Sequence, residues 1–340
     1  MQVLVNYERR DQIFGQLLQL FRERRYPFNQ RGVEPPQAPN NLPRNLLRGG
    51  REHAIFLFCL CFYMRGGIKS VTAIKAMARL YELYPSIFEP DQWEELNADA
   101  IASLLRSVGL NFSSKAISKA WIENFRRLKT RWGGDPRELV RGVSTYEEAL
   151  ARIRRSGQDG FLGFREKMVS MLLYFLAESK IIEPFVFPLP VDFHVCRIVL
   201  ANEIVVVKDP TNGDLYQKEV LDAIRALSID YCHSHGVDPI DLCHAIWLFS
   251  QAMCNKHPGN NSVVERIRRG RKTGVEALPV TWSQAQVSAF KRSCGSCTAA
   301  ETCRWCIPSA SYYIQGKLIL RGVRETPPQI LSQIPLFSTI

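Results

Sequence analysis

Cys294, Cys297, Cys303 and Cys306 fall in one run with the spacing C-x2-C-x5-C-x2-C. Thiolates are soft ligands, and this density suits zinc or an iron–sulfur cluster. Cys254 ends an apolar stretch upstream, separated from the run by residues 255–293. Two further segments carry groups for proton or nucleophilic chemistry. Lys167 follows Gly160-Phe161-Leu162-Gly163-Phe164-Arg165-Glu166 and opens an apolar run, and Asp192 stands in Pro190-Val191-Asp192-Phe193-His194. A deprotonated lysine amine is a nucleophile. A carboxylate accepts protons or stabilises developing positive charge. Each also has a plainer reading: Lys167 as a solvated first-turn lysine, and Asp192 as a helix N-cap.

The elements that position these groups are helical. Apolar spacing predicts helices over 54–64, 69–84, 97–108, 113–129, 145–155, 165–179, 192–204, 216–232 and 238–254, with a more polar one over Gln12 to Arg24. Ser70 and Pro85 bracket one, Gly133-Gly134 follows another, and Asp192 begins a third. Residues 26–49 hold Pro27, Pro35, Pro36, Pro39 and Pro43 and read as a linker or arm. Ile204 to Val207 is the one β-branched run of note. The expected fold class is all-α, in two helical lobes flanking a cleft.

The chain has 340 residues, enough for one large domain or two ordinary ones. Lysine and arginine exceed aspartate and glutamate by 44 to 33, a net charge of +11, which points to a polyanionic partner such as nucleic acid. The charge is clustered at Arg266, Arg268, Arg269, Arg271 and Lys272, and again at Arg126, Arg127, Lys129 and Arg131. The longest apolar run, Ala54 to Met64, is too short to span a bilayer, so no membrane partner is expected. The opening residues show no secretory pattern, and 10 cysteines then suggest a reducing compartment and metal use rather than disulfides.

Taken together, these motifs resemble the helix-hairpin-helix DNA glycosylase superfamily, which includes endonuclease III and the 8-oxoguanine glycosylases. Its hairpin pattern, L-P-G-x-G-x-K, ends in a catalytic lysine; here Gly163 and Lys167 keep that spacing, while Arg165 replaces the second glycine and the proline is missing. Pro190-Val191-Asp192-Phe193-His194 is similar to the segment holding the family's aspartate. Cys294, Cys297 and Cys303 resemble the last three ligands of C-x6-C-x2-C-x5-C, and Cys254 the first, with the six-residue spacer grown to residues 255–293. The segments Ile74 to Tyr81 and Val108 to Ala116 are weaker likenesses. Lys167-Met168 looks closer to the archaeal 8-oxoguanine branch, which generally lacks the cluster.

The resemblance implies a bifunctional glycosylase and abasic-site lyase acting on double-stranded DNA with a flipped, oxidised or otherwise modified base. Lys167 and Asp192 are its implied catalytic pair. Gly163, Arg165 and His194 are its DNA contacts, with a buried histidine as the plainer reading of His194. A [4Fe-4S] cluster on Cys254, Cys294, Cys297 and Cys303 is the implied cofactor, zinc being the alternative, and Cys306 is left out of the set. Trp305, Phe193 and Tyr174 are candidates for base stacking, though each also suits a core. The wedge glutamine of the family falls near Gly67, leaving Met64 or Arg65 for that role. The implied domains are 1–50, an N-terminal helix and arm; 51–68 with 187–340, bearing the cluster and a basic insertion at 255–293; and 69–186, bearing the hairpin. The implied protein is a cytoplasmic, nucleoid-associated monomer. Two other readings stay open: a DNA-binding protein of this fold without catalysis, and a zinc-knuckle binder that does not use Cys254.

Overall fold

The computed structural model describes residues 1–64, 70–111, 113–154, 160–209, 217–254, 297–299, 308–314 and 317–322. The described residues are predominantly helical and divide into two compact units.

One unit comprises Glu34–Pro190 with Asp238–Ile240. It contains α2 (Arg51–Tyr63), α3 (Ser70–Leu83), α4 (Ala98–Ser107), α5 (Ser114–Trp132), α6 (Tyr146–Ile153) and α7 (Glu166–Glu178). From His53 onward every residue of α2 is buried, so it has no solvent face and must be surrounded. It packs against α3, α5 and α7. This explains a departure from the expected division: residues 51–64 belong here rather than with the cysteine-bearing part. Aromatic rings fill the core. Phe58 stacks on Phe164 at 5.0 Å and meets Phe161 edge-on at 5.1 Å, while Phe62 meets Trp121 edge-on at 5.4 Å. The Trp121 indole N–H is satisfied by the Ile87 carbonyl at 2.8 Å. Part of the proline-rich segment belongs to this core too: Ala38, Leu42 and Leu46 are buried.

The other unit comprises Met1–Val33, Val191–Val237 and Asp241–Ile340. Its helices are α1 (Tyr7–Arg22), α8 (Phe193–Ala201), α9 (Lys218–His235) and most of α10 (Pro239–Ala252). Strand β1 (Gln2–Val5) pairs antiparallel with β2 (Val205–Lys208), Val5 opposite Val205. Strands β3 (Pro308–Ile314) and β4 (Lys317–Gly322) form a second antiparallel pair. The β-branched run is therefore a strand from Val205 onward, as its composition predicts, but its partner β1 lies in a segment read only as helix and arm. Arg10, 3% exposed, lies over the Tyr7 and Tyr231 rings at 4.9 and 5.4 Å and is paired with Asp11 and Asp230, so α1 is tied to α9 by a buried cation. No helix among the described residues is long and apolar enough to cross a membrane.

Candidate functional site

Lys167 is the second residue of α7, in the first-named unit, and is half-buried. A turn over residues 160–165 delivers it. Gly163 sits there at φ +91°, a conformation open to glycine and strained for other residues. The turn is gripped from α5. Asn124, fully buried, donates from Nδ2 to the Leu162 carbonyl at 2.9 Å and accepts the Leu162 N–H on Oδ1 at 2.7 Å. One turn along α5, Arg127 donates to the Gly160 carbonyl. Phe161 and Phe164 bury their rings against α2. The first turn of α7 is fixed as well: the Glu166 carbonyl accepts from Tyr146 Oη and Ser170 Oγ, both at 3.1 Å. Arg165 is exposed at the N-cap of α7 and makes no side-chain cap there.

Cys61, fully buried on α2, has its thiol held well above the ordinary range by burial, and the charge of Lys167 acts on it in the opposite sense.

The α5 basic cluster is engaged within the chain. Glu123 pairs with Arg126 at 2.7 Å and with Arg127 at 2.6 Å, and Lys129 pairs with Asp91. The hydrogen bond from Arg126 leads the effects that depress the Glu123 carboxyl to about 2, with Arg127 adding to it. Arg127 is thus part of the turn's support.

Asp192 belongs to the other unit and is the N-cap of α8. Its Oδ1 accepts from the His194 and Val195 amides at 2.8 and 3.1 Å. Its Oδ2 accepts the Trp247 indole N–H at 3.1 Å. His194 is half-buried; its ring meets Trp247 edge-on at 5.3 Å, and Nδ1 lies 3.4 Å from Ser250 Oγ. Beneath them Arg197 is fully buried, its guanidinium 4.1 Å from the centre of the Phe193 ring. Burial lowers the Arg197 pKa to about 10, against the raising effects of Cys254 and Asp192.

Of the four expected metal ligands, Cys254 and Cys297 are described and both lie in this unit, half-buried. Cys294 and Cys303 lie outside the described residues, as do Cys306, Trp305 and the 255–293 insertion. No group of three or more metal-ligating side chains occurs among the described residues. Sulfur is the donor at both described positions, and Cys254 interacts electrostatically with the buried Arg197. Cys297 is anchored by its neighbour, since Thr298 donates to the Tyr26 carbonyl at 3.3 Å and accepts Gln16 Nε2 at 3.2 Å.

The structure thus places Gly163, Arg165 and Lys167 on one braced turn. It gathers Asp192, His194 and Cys254 around Arg197 and Trp247. Lys167 and Asp192 fall in different units. Phe193 underlies Arg197, and Tyr174 is 9% exposed. Asn124 and Trp247 hold the Leu162 backbone and Asp192 in place, and the motifs do not mark them. A signal for Asn124 exists in the sequence: it is an amide in the stripe of Ile117, Trp121 and Leu128. No family model matches this chain, and no curated protein matches it.

Proposed function

We propose that this protein is a DNA glycosylase with abasic-site lyase activity, in which Lys167 is the nucleophile and Asp192 assists. The observation that carries the reading is the glycine turn at 160–165, locked by Asn124 and leading directly into a helix whose first turn holds a half-buried lysine. The neutral amine of such a lysine is the attacking species.

The substrate class is double-stranded DNA carrying an oxidised or otherwise modified base, flipped out of the stack. The amine forms a bond to C1′ as the bond from C1′ to the base nitrogen breaks, and the base leaves with that electron pair and takes up a proton. The Asp192 carboxylate stabilises positive charge developing on the sugar, and the proton that the amine sheds balances the one that the departing base takes up. Opening of the sugar gives a Schiff base; loss of the C2′ proton then expels the 3′ phosphate by β-elimination. The net positive charge favours binding to the phosphate backbone. Arg165, exposed beside the turn, and His194, beside Asp192, would contact phosphates. Cys254, Cys294, Cys297 and Cys303 would hold a [4Fe-4S] cluster, which when bound supplies a rigid charged anchor for the sequence around Lys291 and Arg292. A helix-hairpin-helix motif leading into α7 belongs to this reading.

Borohydride trapping on a duplex containing an abasic site tests it. Wild type forms a covalent adduct and Lys167→Gln does not; trapping by the variant would overturn the assignment. Asp192→Asn keeps DNA affinity within about threefold and loses roughly a hundredfold or more in base release. Equal loss of both would make Asp192 a structural cap.

A further inference from the structure

We infer that Trp247 is a positioning residue for Asp192: its indole N–H, reaching from α10, fixes the carboxylate oxygen that helix capping leaves over. This rests on the catalytic reading of Asp192 and adds a residue that no motif assigns.

The argument begins from what capping requires. An N-cap carboxylate satisfies the first-turn amides of its helix, and one oxygen suffices. Here Oδ1 does that work for His194 and Val195. A cap of this kind leaves the second oxygen without a required partner, and on a half-buried aspartate it would ordinarily face water. Instead Oδ2 accepts Trp247 Nε1 at 3.1 Å from a residue 55 positions away. A charge-assisted hydrogen bond of this kind is stronger than one between neutral groups. With both oxygens held, the plane of the carboxylate is set. Each oxygen of an ionised carboxylate offers about two acceptor directions. Oδ1 uses both, so Oδ2 keeps one, and Trp247 decides where that one points.

The indole is itself held in place. Trp247 meets the His194 ring edge-on at 5.3 Å, and His194 reaches Ser250, on the turn of α10 that follows Trp247. Phenylalanine at 247 keeps the ring against His194 and deletes only the donor, so Trp247→Phe isolates the hydrogen bond from the packing.

The two chemical steps separate the outcomes. Base release uses Asp192, whereas Schiff-base formation on an abasic site already lacking its base depends on Lys167. The test uses full-length protein with two duplexes: one carrying a single 8-oxoguanine or thymine glycol, whichever the wild type opens, and one carrying a preformed abasic site. At saturating enzyme, Trp247→Phe releases base about tenfold more slowly, the change expected for losing one hydrogen bond to a charged group. Its DNA affinity, its melting temperature and its trapping on the abasic duplex stay within about threefold or a few degrees of wild type. Unchanged base release overturns the inference and leaves Trp247 as packing. A parallel fall in base release and abasic-site trapping also overturns it, because the substitution then acts through the fold. A wild type that traps abasic DNA but releases no base from either lesion removes the role of Asp192 on which the inference stands, while leaving Lys167 in place.

Discussion

Asn124→Leu removes the grip on the turn that carries Lys167 while leaving Lys167 untouched. Leucine matches asparagine in size but supplies neither the donor to the Leu162 carbonyl at 2.9 Å nor the acceptor for its N–H at 2.7 Å. Two backbone groups lose their partners, each at a cost of about 1–3 kcal/mol when buried. Leu162 is half-buried, so water recovers part of that, and the low end applies: about 2 kcal/mol in all. For a unit of this size the melting temperature falls about 4–8 °C. The functional effect should exceed the stability effect, because a shift of about 1 Å in a reacting group can cost on the order of a hundredfold. Single-turnover borohydride trapping at saturating abasic duplex, measured well below the melting temperature, is expected to slow by tenfold or more, with DNA affinity nearly constant. Asn124→Asp sharpens the test. Ionised aspartate opposes the Leu162 carbonyl, whereas the protonated acid restores a donor there. The rate of this variant relative to wild type should therefore rise as pH falls. If Asn124→Leu melts within about 1 °C of wild type and traps at the same rate, the amide does not set the position of Lys167.

Two further outcomes follow from buried groups. His53, 3% exposed, accepts the Gly49 N–H on Nδ1 at 3.2 Å, and burial, with the charge of Arg48, lowers its pKa from 6.5 to about 4. The folded state then binds fewer protons than the unfolded one across that window, so stability is full above pH 6.5 and declines as pH falls toward 4. Thermal melting from pH 7 to 4.5 should show the decline, and His53→Asn should flatten it; a slope unchanged by the substitution would assign the acid sensitivity elsewhere. For the thiols, iron and acid-labile sulfide with broad visible absorbance are expected in the purified protein and should be lost in Cys254→Ala. A colourless zinc protein indifferent to that substitution would favour the zinc-knuckle arrangement.

Much of the helical frame was legible in the sequence, because most of the helices write a buried face as a periodic stripe, while α2, buried all round, shows as a continuous apolar run. The expected span 97–108 is α4 at Ala98–Ser107, and 165–179 is α7 at Glu166–Glu178. Asp192 was readable as a cap because the residue type suits that position, and the His194 and Val195 amides bear it out. Strand β1 was not readable: four residues give too short an alternation, and its stability comes from pairing with residues 205–208 across the chain. The basic run on α5 was readable as charge but not as pairing. Counting charges finds Arg126 and Arg127 but not that Glu123, one turn back, holds both. The grip of Asn124 on Leu162 spans 38 positions and that of Trp247 on Asp192 spans 55. Neither leaves a local pattern beyond an amide in an apolar stripe or a tryptophan in an apolar helix.

Asp192 caps a helix and is proposed to be catalytic, and the two roles can be told apart by experiment. Asparagine caps a helix about as well as aspartate, so Asp192→Asn alone should leave α8 intact. The new amide must keep its oxygen toward the His194 and Val195 N–H groups, which turns its NH2 toward the Trp247 indole N–H. Two donors then face each other, and some loss in Asp192→Asn would come from that clash rather than from the missing charge. Trp247→Phe removes the opposing donor. In that background Asp192→Asn should recover whatever the clash cost in stability, while base release stays low because no carboxylate remains to meet the positive charge on the sugar. Recovery of stability without recovery of base release identifies the charge as the functional element; recovery of both would mean that the geometry of the cap was all that mattered.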